Sequence, residues 1–417
     1  MMTNADQATT VRTGALALLL CASLSGCGMV GTQAHAGPGT PGDGRSFSLA
    51  AGGEVQVQSE LVAQARKDGK SAGSAKGAVR GISFDAMMNS IKPVISKADL
   101  AICHIEPVLG KPGGPFKGHP DFVAPPQIAT TLKRIGYDSC STAASHALDH
   151  GPGGIRSTLG ALDAAGLEHT GSARSPKEAA QPLILDVKGV KVAHLAFTNT
   201  FTGRAKLPAD KPWLVNQTSF GRIAAAEKAA RAAGAEVVVL SMNWGTEFEP
   251  DPNAAQRRLA RKIAEKTGID LVIGHHAHVV QPMEKIGDTW IAYGLGNQLS
   301  RHDAPTGLSE EGAIGWFDFT EQGGSWTVRA RYAPTLVEIP ADAEQSDTDS
   351  GSLPQPAAPG TVRDVRVVNV ADALATGTGL TAEQRARYRL AAERTAGTLL
   401  NRGGGDEGLR PLEVVPD

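Results

Sequence analysis

The stretch Asp270-Leu271-Val272-Ile273-Gly274-His275-His276-Ala277-His278 constrains this chain more than any other. Its apolar run reads as a buried strand, and Gly274 permits a sharp exit from a sheet. Three histidines in four positions then stand at a strand's carboxyl end, where open α/β sheets place their ligand sites. Neutral imidazole is the commonest protein ligand for transition metals. A lone histidine on an apolar face reads as a hydrogen-bonded core residue, whereas three at one strand exit point to a metal or phosphate site. If the backbone stays extended, His276 and His278 face one way, which leaves His275 a supporting role.

The rest of the chain supplies a setting for that segment. From Phe47 onward strands alternate with helices, the pattern of a layered α/β domain. Strands are expected at 48–51, 99–103, 137–142, 236–242 and 289–293, and helices at 60–67, 84–96, 220–233 and 254–266. Pro126 opens a further helix with Ile128, Leu132 and Ile135 on one face, ended by Gly136. Another carries Ile155, Leu159 and Leu162, with Gly166 past its end. Lys188-Gly189 joins one hairpin, and 312–319 with 325–332 forms a second. Thr381 and Gln384 make a capping-box pattern before a terminal helix that runs to Leu400.

Five strand exits then carry polar side chains: Glu54, His104 with Glu106, Ser145 with His146, Asn243, and the three histidines. Their spacing is too long for a local metal finger, so only the fold can assemble them. Carboxylates, amides and imidazoles gathered from several strand ends are how two-metal sites for phosphoryl transfer are built. Each residue also has a plainer reading. Glu106 before Pro107 could end a strand, His146 could pair locally with Asp149, Asn243 could be a turn residue and Glu54 a solvated loop carboxylate. Trp244 is expected as a lid or wall of the site, and Gly294, Gly296 and Asn297 as a tight turn beneath it.

The amino terminus reads as a targeting segment. Arg12 precedes an apolar run from Ala15 to Ala22, too short to span a bilayer. Leu24-Ser25-Gly26-Cys27 follows and resembles a bacterial lipobox. Residues 1–27 are therefore expected to be a lipoprotein signal peptide ending at a lipidated Cys27, and 28–45 a flexible tether. Cys103 and Cys140 both lie at expected strand ends. A disulfide and two buried thiols both fit them. Hydrophobic residues make up 41% and charged residues 20% of the chain, which marks a folded protein. A formal net charge of -2 with no Lys/Arg block argues against nucleic acid as a partner. Residues 341–361, polar and without periodicity, are expected to be a mobile loop, and 362–417 a strand-and-helix extension.

These motifs carry a resemblance. Ala98-Asp99-Leu100-Ala101-Ile102-Cys103-His104-Ile105-Glu106-Pro107, the run Gly136 to Gly151, Ser241-Met242-Asn243-Trp244-Gly245-Thr246-Glu247, Gly274 to Pro282, and Tyr293-Gly294-Leu295-Gly296-Asn297 follow one another as in a known family. The chain resembles the capsule synthesis protein CapA, or poly-γ-glutamate capsule, family of the calcineurin-like metallophosphoesterase fold. That resemblance implies an α/β/β/α sandwich with mixed sheets over residues 46–340. It further implies Glu54, Glu106, Asn243, His276 and His278 as holders of Mn, Mg or Zn, with His146 as proton donor. His104, Ser145, Asp149, Trp244, His275 and Asn297 would support them or touch substrate.

Three positions depart from the family pattern. Gly53-Glu54 stands where the family has Gly-Asp, Ala144-Ser145-His146 where it has Asn-Asn-His or Ser-Asn-His, and Asn243-Trp244-Gly245 where it has His-Trp-Gly. Hydroxyl and amide groups are poor ligands for Zn, though amide oxygens suit Mg, Mn or Ca. The remaining donors suffice for one ion and are a weak basis for two. The expected protein is an extracytoplasmic lipoprotein, held to the bacterial cell membrane by its lipid. It serves the synthesis, export or anchoring of a capsule-type anionic polymer, alongside membrane proteins of a polymer-synthesis complex. The alternative is an active metal-dependent phosphoesterase or hydrolase, with a phosphoester as substrate.

Overall fold

Phe47, Leu49 and Ala51 alternate with Ser48 and Ala50, and that period of two makes β1 (Ser46–Val55) the first strand. β2 (Leu100–Ile105), apolar but for one histidine, lies parallel to it. The computed structural model describes residues 44–71, 80–202, 205–302, 307–340 and 364–413. The expected signal peptide with Cys27, nearly all of the tether and the expected loop at 341–361 lie outside the described residues. β3 (Val108–Leu109) and β4 (Val123–Ala124) form a small ladder of their own, and β5 (Ser139–Ser141) and β6 (Glu168–Thr170) extend the first sheet in parallel.

The chain then enters a second sheet. Its strands are β7 (Leu183–Val187), β8 (Val190–Thr198), β9 (Val237–Asn243), β10 (Leu271–His275), β11 (Met283–Ile286) and β12 (Thr289–Ala292). It returns to the first sheet through β13 (Asn297–Leu299), β14 (Glu311–Gln322), β15 (Ser325–Glu338), β16 (Arg366–Asn369) and β17 (Arg410–Pro411). The first sheet runs β16-β15-β14-β1-β2-β5-β6, with β13 beside β1 and β17 beside β15. The second runs β11-β12-β10-β9-β8-β7. Both mix parallel and antiparallel pairs.

Because side chains alternate along a strand, each sheet buries two faces here. Leu49, Ala51, Leu100 and Ile102 of the first sheet share one core with Val237, Val239, Leu271 and Ile273 of the second. On the outer face of the first sheet, Ala101, Cys103 and Ile105 meet Leu61, Ile128, Leu132, Ile155 and Leu159 from the helices. On the outer face of the second, Val238, Leu240 and Val272 meet Ile223, Ala260 and Ile263. The layers are therefore α/β/β/α, and the parallel strands β1, β2, β5, β9 and β10 all end near the candidate site. Cys103 and Cys140, opposite each other on β2 and β5, are disulfide-bonded.

Several elements differ from expectation. Residues 84–96 do not form one helix: Asp85–Met88 and Lys92–Ile95 are separate short helices joined by a 3-10 turn, Asn89–Ile91. Pro93 has no N–H with which to continue the first into the second. Asn297, expected in a tight turn, begins β13 and pairs with Glu54 on β1. At the other end of the chain, β16 pairs with β15, and the helix Ala382–Leu400 lays Tyr388 and Ala391 against Leu336. Residues 364–413 thus belong to the same unit as the sheets. Among the described residues, no helix is long and apolar enough to cross a membrane.

Candidate metal centre

Strict alternation from Ala51 would point Gly53 into the space between the sheets and turn Glu54 away. Instead β1 spends three residues against two of β2, since Ala51 pairs with Ile102 and Glu54 with His104. This β-bulge returns Glu54 to the inner face. Glycine is needed at both bulge positions. A Cβ on Gly52 would lie 2.1 Å from Tyr137 Oη, and one on Gly53 would lie 2.2 Å from the Gly296 carbonyl oxygen. That same carbonyl accepts the Glu54 N–H at 2.9 Å.

The loop leaving β10 closes over Glu54. His276 (φ 92°) and His278 (φ 55°) are both left-handed, so the backbone does not stay extended. Their N–H groups instead converge on Glu54 Oε1, at 2.7 and 3.3 Å. His278 Nδ1 sits 2.8 Å from Glu54 Oε2 and its Nε2 lies 3.7 Å from Glu106 Oε2. Asn297 Oδ1 is 3.0 Å from the same Nδ1, and Asn297 Nδ2 donates to the His278 carbonyl. Glu106, just past β2, accepts from Ser145 Oγ at 2.8 Å through Oε1. Glu54, Glu106 and His278 are buried, and each offers a ligand atom within 4.8 Å of the other two.

Burial opposes the charge on Glu54, but the His278 imidazolium overrides it and holds this carboxyl far below the usual range. Burial likewise works against a charged His278, and the Glu54 and Glu106 carboxylates outweigh it, raising its pKa to about 10. A proton on His278 is thus the cation of this cluster. A divalent ion fits the same position. Glu54 Oε2 is in an ion pair but has no hydrogen bond, and Glu106 Oε2 likewise has none. Two carboxylate oxygens and one imidazole are acceptable donors to Mn, Mg or Zn.

The other expected donors are placed differently. The His276 ring stands outside the cluster, with its Nδ1 buried and without a hydrogen bond. The left-handed turns explain this, because alternate residues share a side only on an extended chain. Asn243, opposite His275 on β10, holds Thr198 Oγ1 at 2.9 Å. Thr198 has one hydroxyl proton, and the Thr200 carbonyl 3.0 Å away can only accept it. Asn243 satisfies Thr198 best by donating its N–H₂, which turns its amide oxygen to the buried position otherwise without a partner. His275 lies on the inner face of β10 and stacks on His104 at 4.1 Å. Burial lowers the His275 pKa to about 4, and burial with the neighbouring His275 lowers that of His104 well below its usual value. His104 is oriented by Ser141 Oγ at 2.7 Å.

Trp244 is not a lid or wall of the cleft. It is fully buried on the helix-facing side of the second sheet, with its indole N–H donated to the Tyr293 carbonyl at 2.9 Å. The cleft is lined instead by Phe122 and by Phe248, the latter left-handed at φ 62°, 41% exposed and stacked on His278. His146 lies opposite, its Nδ1 2.7 Å from Asp149 Oδ2 and its ring against Phe122. Burial lowers the His146 pKa, but Asp149 and Glu106 raise it by more, so it ends above the ordinary histidine value.

His146 and His278 line a cleft of about 860 Å³, together with Phe122, Phe248, Gln56, Arg301 and His302. Phe122, Phe248, Gln56, Arg301 and His302 were absent from the sequence reading. Arg301 and His302 follow Ser300 just past the short strand Asn297–Leu299, so their nearness to the motif Tyr293-Gly294-Leu295-Gly296-Asn297 was the readable signal. A second cavity, of about 540 Å³, opens beside β6 and β7. Its Arg174 is paired with Asp163 and Glu178, and it contains none of the strand-end donors.

Fold and site together define a layered α/β protein with a candidate metal cleft at the carboxyl ends of its parallel strands. The chain belongs to the bacterial capsule synthesis protein PGA_cap family, whose model matches residues 48–302, more than half of the chain. It is 34% identical over 175 residues to the PGA biosynthesis protein CapA of Bacillus subtilis, covering 40% of this chain and 43% of that one. It is 28% identical over 173 residues to the capsule biosynthesis protein CapA of Bacillus anthracis, covering 41% and 42%. The chain thus spans less than half the length of either relative. The calcineurin-like phosphoesterase YfkN from Bacillus subtilis aligns over 84% of this chain and 97% of that one, at 12% identity and a TM-score of 0.37. A similarity of that size assigns no chemistry to this chain.

Proposed function

We propose that this protein is a cell-envelope lipoprotein acting in the synthesis, export or anchoring of a capsule-type anionic polymer, through a cleft that holds one divalent ion. The observation that carries the reading is the buried cluster of Glu54, Glu106 and His278, the last of which lines the cleft. A divalent ion there would supply Lewis-acid chemistry toward an oxygen of the polymer. One ion rather than two is supported by Ser145, whose hydroxyl is committed to Glu106. Family membership and the two capsule-biosynthesis relatives support the polymer. The Leu24-Ser25-Gly26-Cys27 pattern supports the lipid anchor, and the Cys103–Cys140 disulfide supports an oxidising compartment. Cys27→Ser is expected to move the protein from the membrane to the soluble fraction; retention in the membrane would contradict the anchor.

The second reading, a metal-dependent hydrolase or phosphoesterase, is favoured by one feature. His146 stands in the cleft with Asp149 accepting its Nδ1 proton, so Nε2 is left to protonate a leaving group. The two readings separate in one experiment. Wild type and His146→Ala are incubated with Mn and γ-linked glutamate oligomers, with binding followed by calorimetry and chain length by mass spectrometry. The binding reading expects metal-dependent binding by both proteins and intact chains. Cleavage by the wild type, lost in His146→Ala, establishes the hydrolase instead. Neither binding nor cleavage would overturn the capsule-polymer reading, and failure of the Mn-loaded wild type to hydrolyse bis(p-nitrophenyl) phosphate as well would overturn the second.

A further inference from the structure

The helix Ala254–Lys266 carries its cations on one side. Ala260 and Ile263 are buried on the outer face of the second sheet. With the period of an α-helix, Arg257, Arg258, Arg261, Lys262 and Lys266 fall on the half turned away from them. In the sequence Leu259, Ala260, Ile263 and Ala264 interrupt these residues, so only the helix concentrates their charge. Arg257, Arg258, Arg261 and Lys262 line a groove of about 350 Å³ with Ala254 and Glu265. Arg257 donates to the Pro252 carbonyl, and Lys262 Nζ lies 4.2 Å over the Phe220 ring. Neither contact cancels a charge. Among the described residues none of the five is in an ion pair, whereas Arg231 on the neighbouring helix is paired with Glu227 and Asp270.

The place of this face on the molecule identifies what it meets. The helix joins the parallel strands β9 and β10, so it runs antiparallel to both. Its last turn therefore lies at their amino ends, away from the cleft. Arg231 ties that end together: Nη1 donates to the Glu236 carbonyl at 2.7 Å, and Nη2 to the Gly268 carbonyl. Glu236 pairs in turn with Arg45, the last residue of the expected tether. The tether thus ends beside the basic helix. At the opposite end, Glu247, Glu249 and Asp251 are exposed between the cleft and the first turn of the helix. A polyanion running from the cleft along this side would meet those carboxylates first.

We propose that this helix face docks on the anionic phospholipid headgroups of the membrane. Docking there holds the strands parallel to the membrane surface, so the cleft opens sideways along it. The apolar side of the helix is buried in the protein, which leaves charge alone for the contact and no insertion into the bilayer. Each cation within a Debye length of about 8 Å from an anionic surface adds on the order of fivefold to affinity. The inference rests on the lipoprotein reading above, which supplies the membrane, and names the face turned toward it.

The test is co-sedimentation of the full chain carrying Cys27→Ser with vesicles of phosphatidylcholine, alone or mixed equally with phosphatidylglycerol. Binding is expected to the mixed vesicles only, and high salt should release it. Arg258→Gln, Arg261→Gln and Lys262→Gln together should weaken it by roughly tenfold or more, while Glu265→Gln tightens it several-fold. All four positions are exposed, so melting temperature and metal content should match the parent. Absence of binding to the mixed vesicles, or equal binding by the triple variant, overturns this inference. A γ-linked glutamate oligomer bound by the parent and lost by the triple variant, with vesicles ignored by both, overturns it too and gives the face to the polymer. The lipoprotein reading is judged apart from these arms, by whether Cys27→Ser leaves the membrane in a high-salt wash.

Discussion

His278 carries the chemistry of the site in its ring. In the folded protein its pKa is about 10 against an ordinary value of 6.5, while Glu54 is depressed from 4.5. A raised histidine stabilises the fold fully below pH 6.5 and loses that contribution as pH rises to about 10. A depressed carboxylate stabilises above 4.5 and loses its contribution as pH falls. The metal-free protein should therefore melt at steadily lower temperature between pH 7 and 10, and Glu54→Gln should flatten that slope. A divalent ion must displace the His278 proton, so its affinity should rise with pH, with proton uptake by the buffer visible in calorimetry. Affinity independent of pH would contradict the assignment of His278. At this scale the sequence identified which residue types meet, through strand-end motifs, but not how they meet. The sharing of Glu54 Oε1 by two N–H groups depends on left-handed turns at His276 and His278, and the sequence offers no glycine there to mark them.

At the scale of elements, the bulge in β1 places Glu54. Gly53 permits it by letting the Gly296 carbonyl approach closely. Gly53→Ala puts a methyl group against that oxygen and must push β1 from β13. Overpacking of this kind costs about 1–3 kcal/mol, and it should also lower metal affinity by moving the Glu54 carboxylate. A variant with lost stability but unaltered metal affinity would show that the bulge does not position the ligand. Most long elements were legible. Ala254–Lys266 and the two hairpins follow from periodicity, caps and paired turn residues such as Lys188-Gly189, both left-handed. The bulge was not, because Gly52-Gly53 reads equally as the end of a strand. Trp244 was misjudged for a related reason: the residue after a strand end can turn to either face, and this one turns to the helix layer.

Across the whole molecule, two sheets from separate stretches of chain meet so that β1 and β2 face β9 and β10 with their carboxyl ends together. The family match ends at residue 302, yet β14 and β15 complete the first sheet, and Arg387 of the terminal helix pairs with Glu311 at 2.7 Å. The layered α/β class was legible from alternating elements and the four-layer sandwich only through the family resemblance, while the way the carboxyl-terminal third completes the first sheet was not, since β14 pairs with β1 more than two hundred residues away. The claim on which the rest depends is that this architecture builds a metal site from Glu54, Glu106 and His278. Elemental analysis of the purified protein after Mn or Zn loading and removal of free ion tests it most directly. The account predicts about one tightly held ion per chain in the wild type and its loss in Glu106→Gln and His278→Ala. A wild type that retains no ion, or variants that retain as much as the wild type, would contradict it.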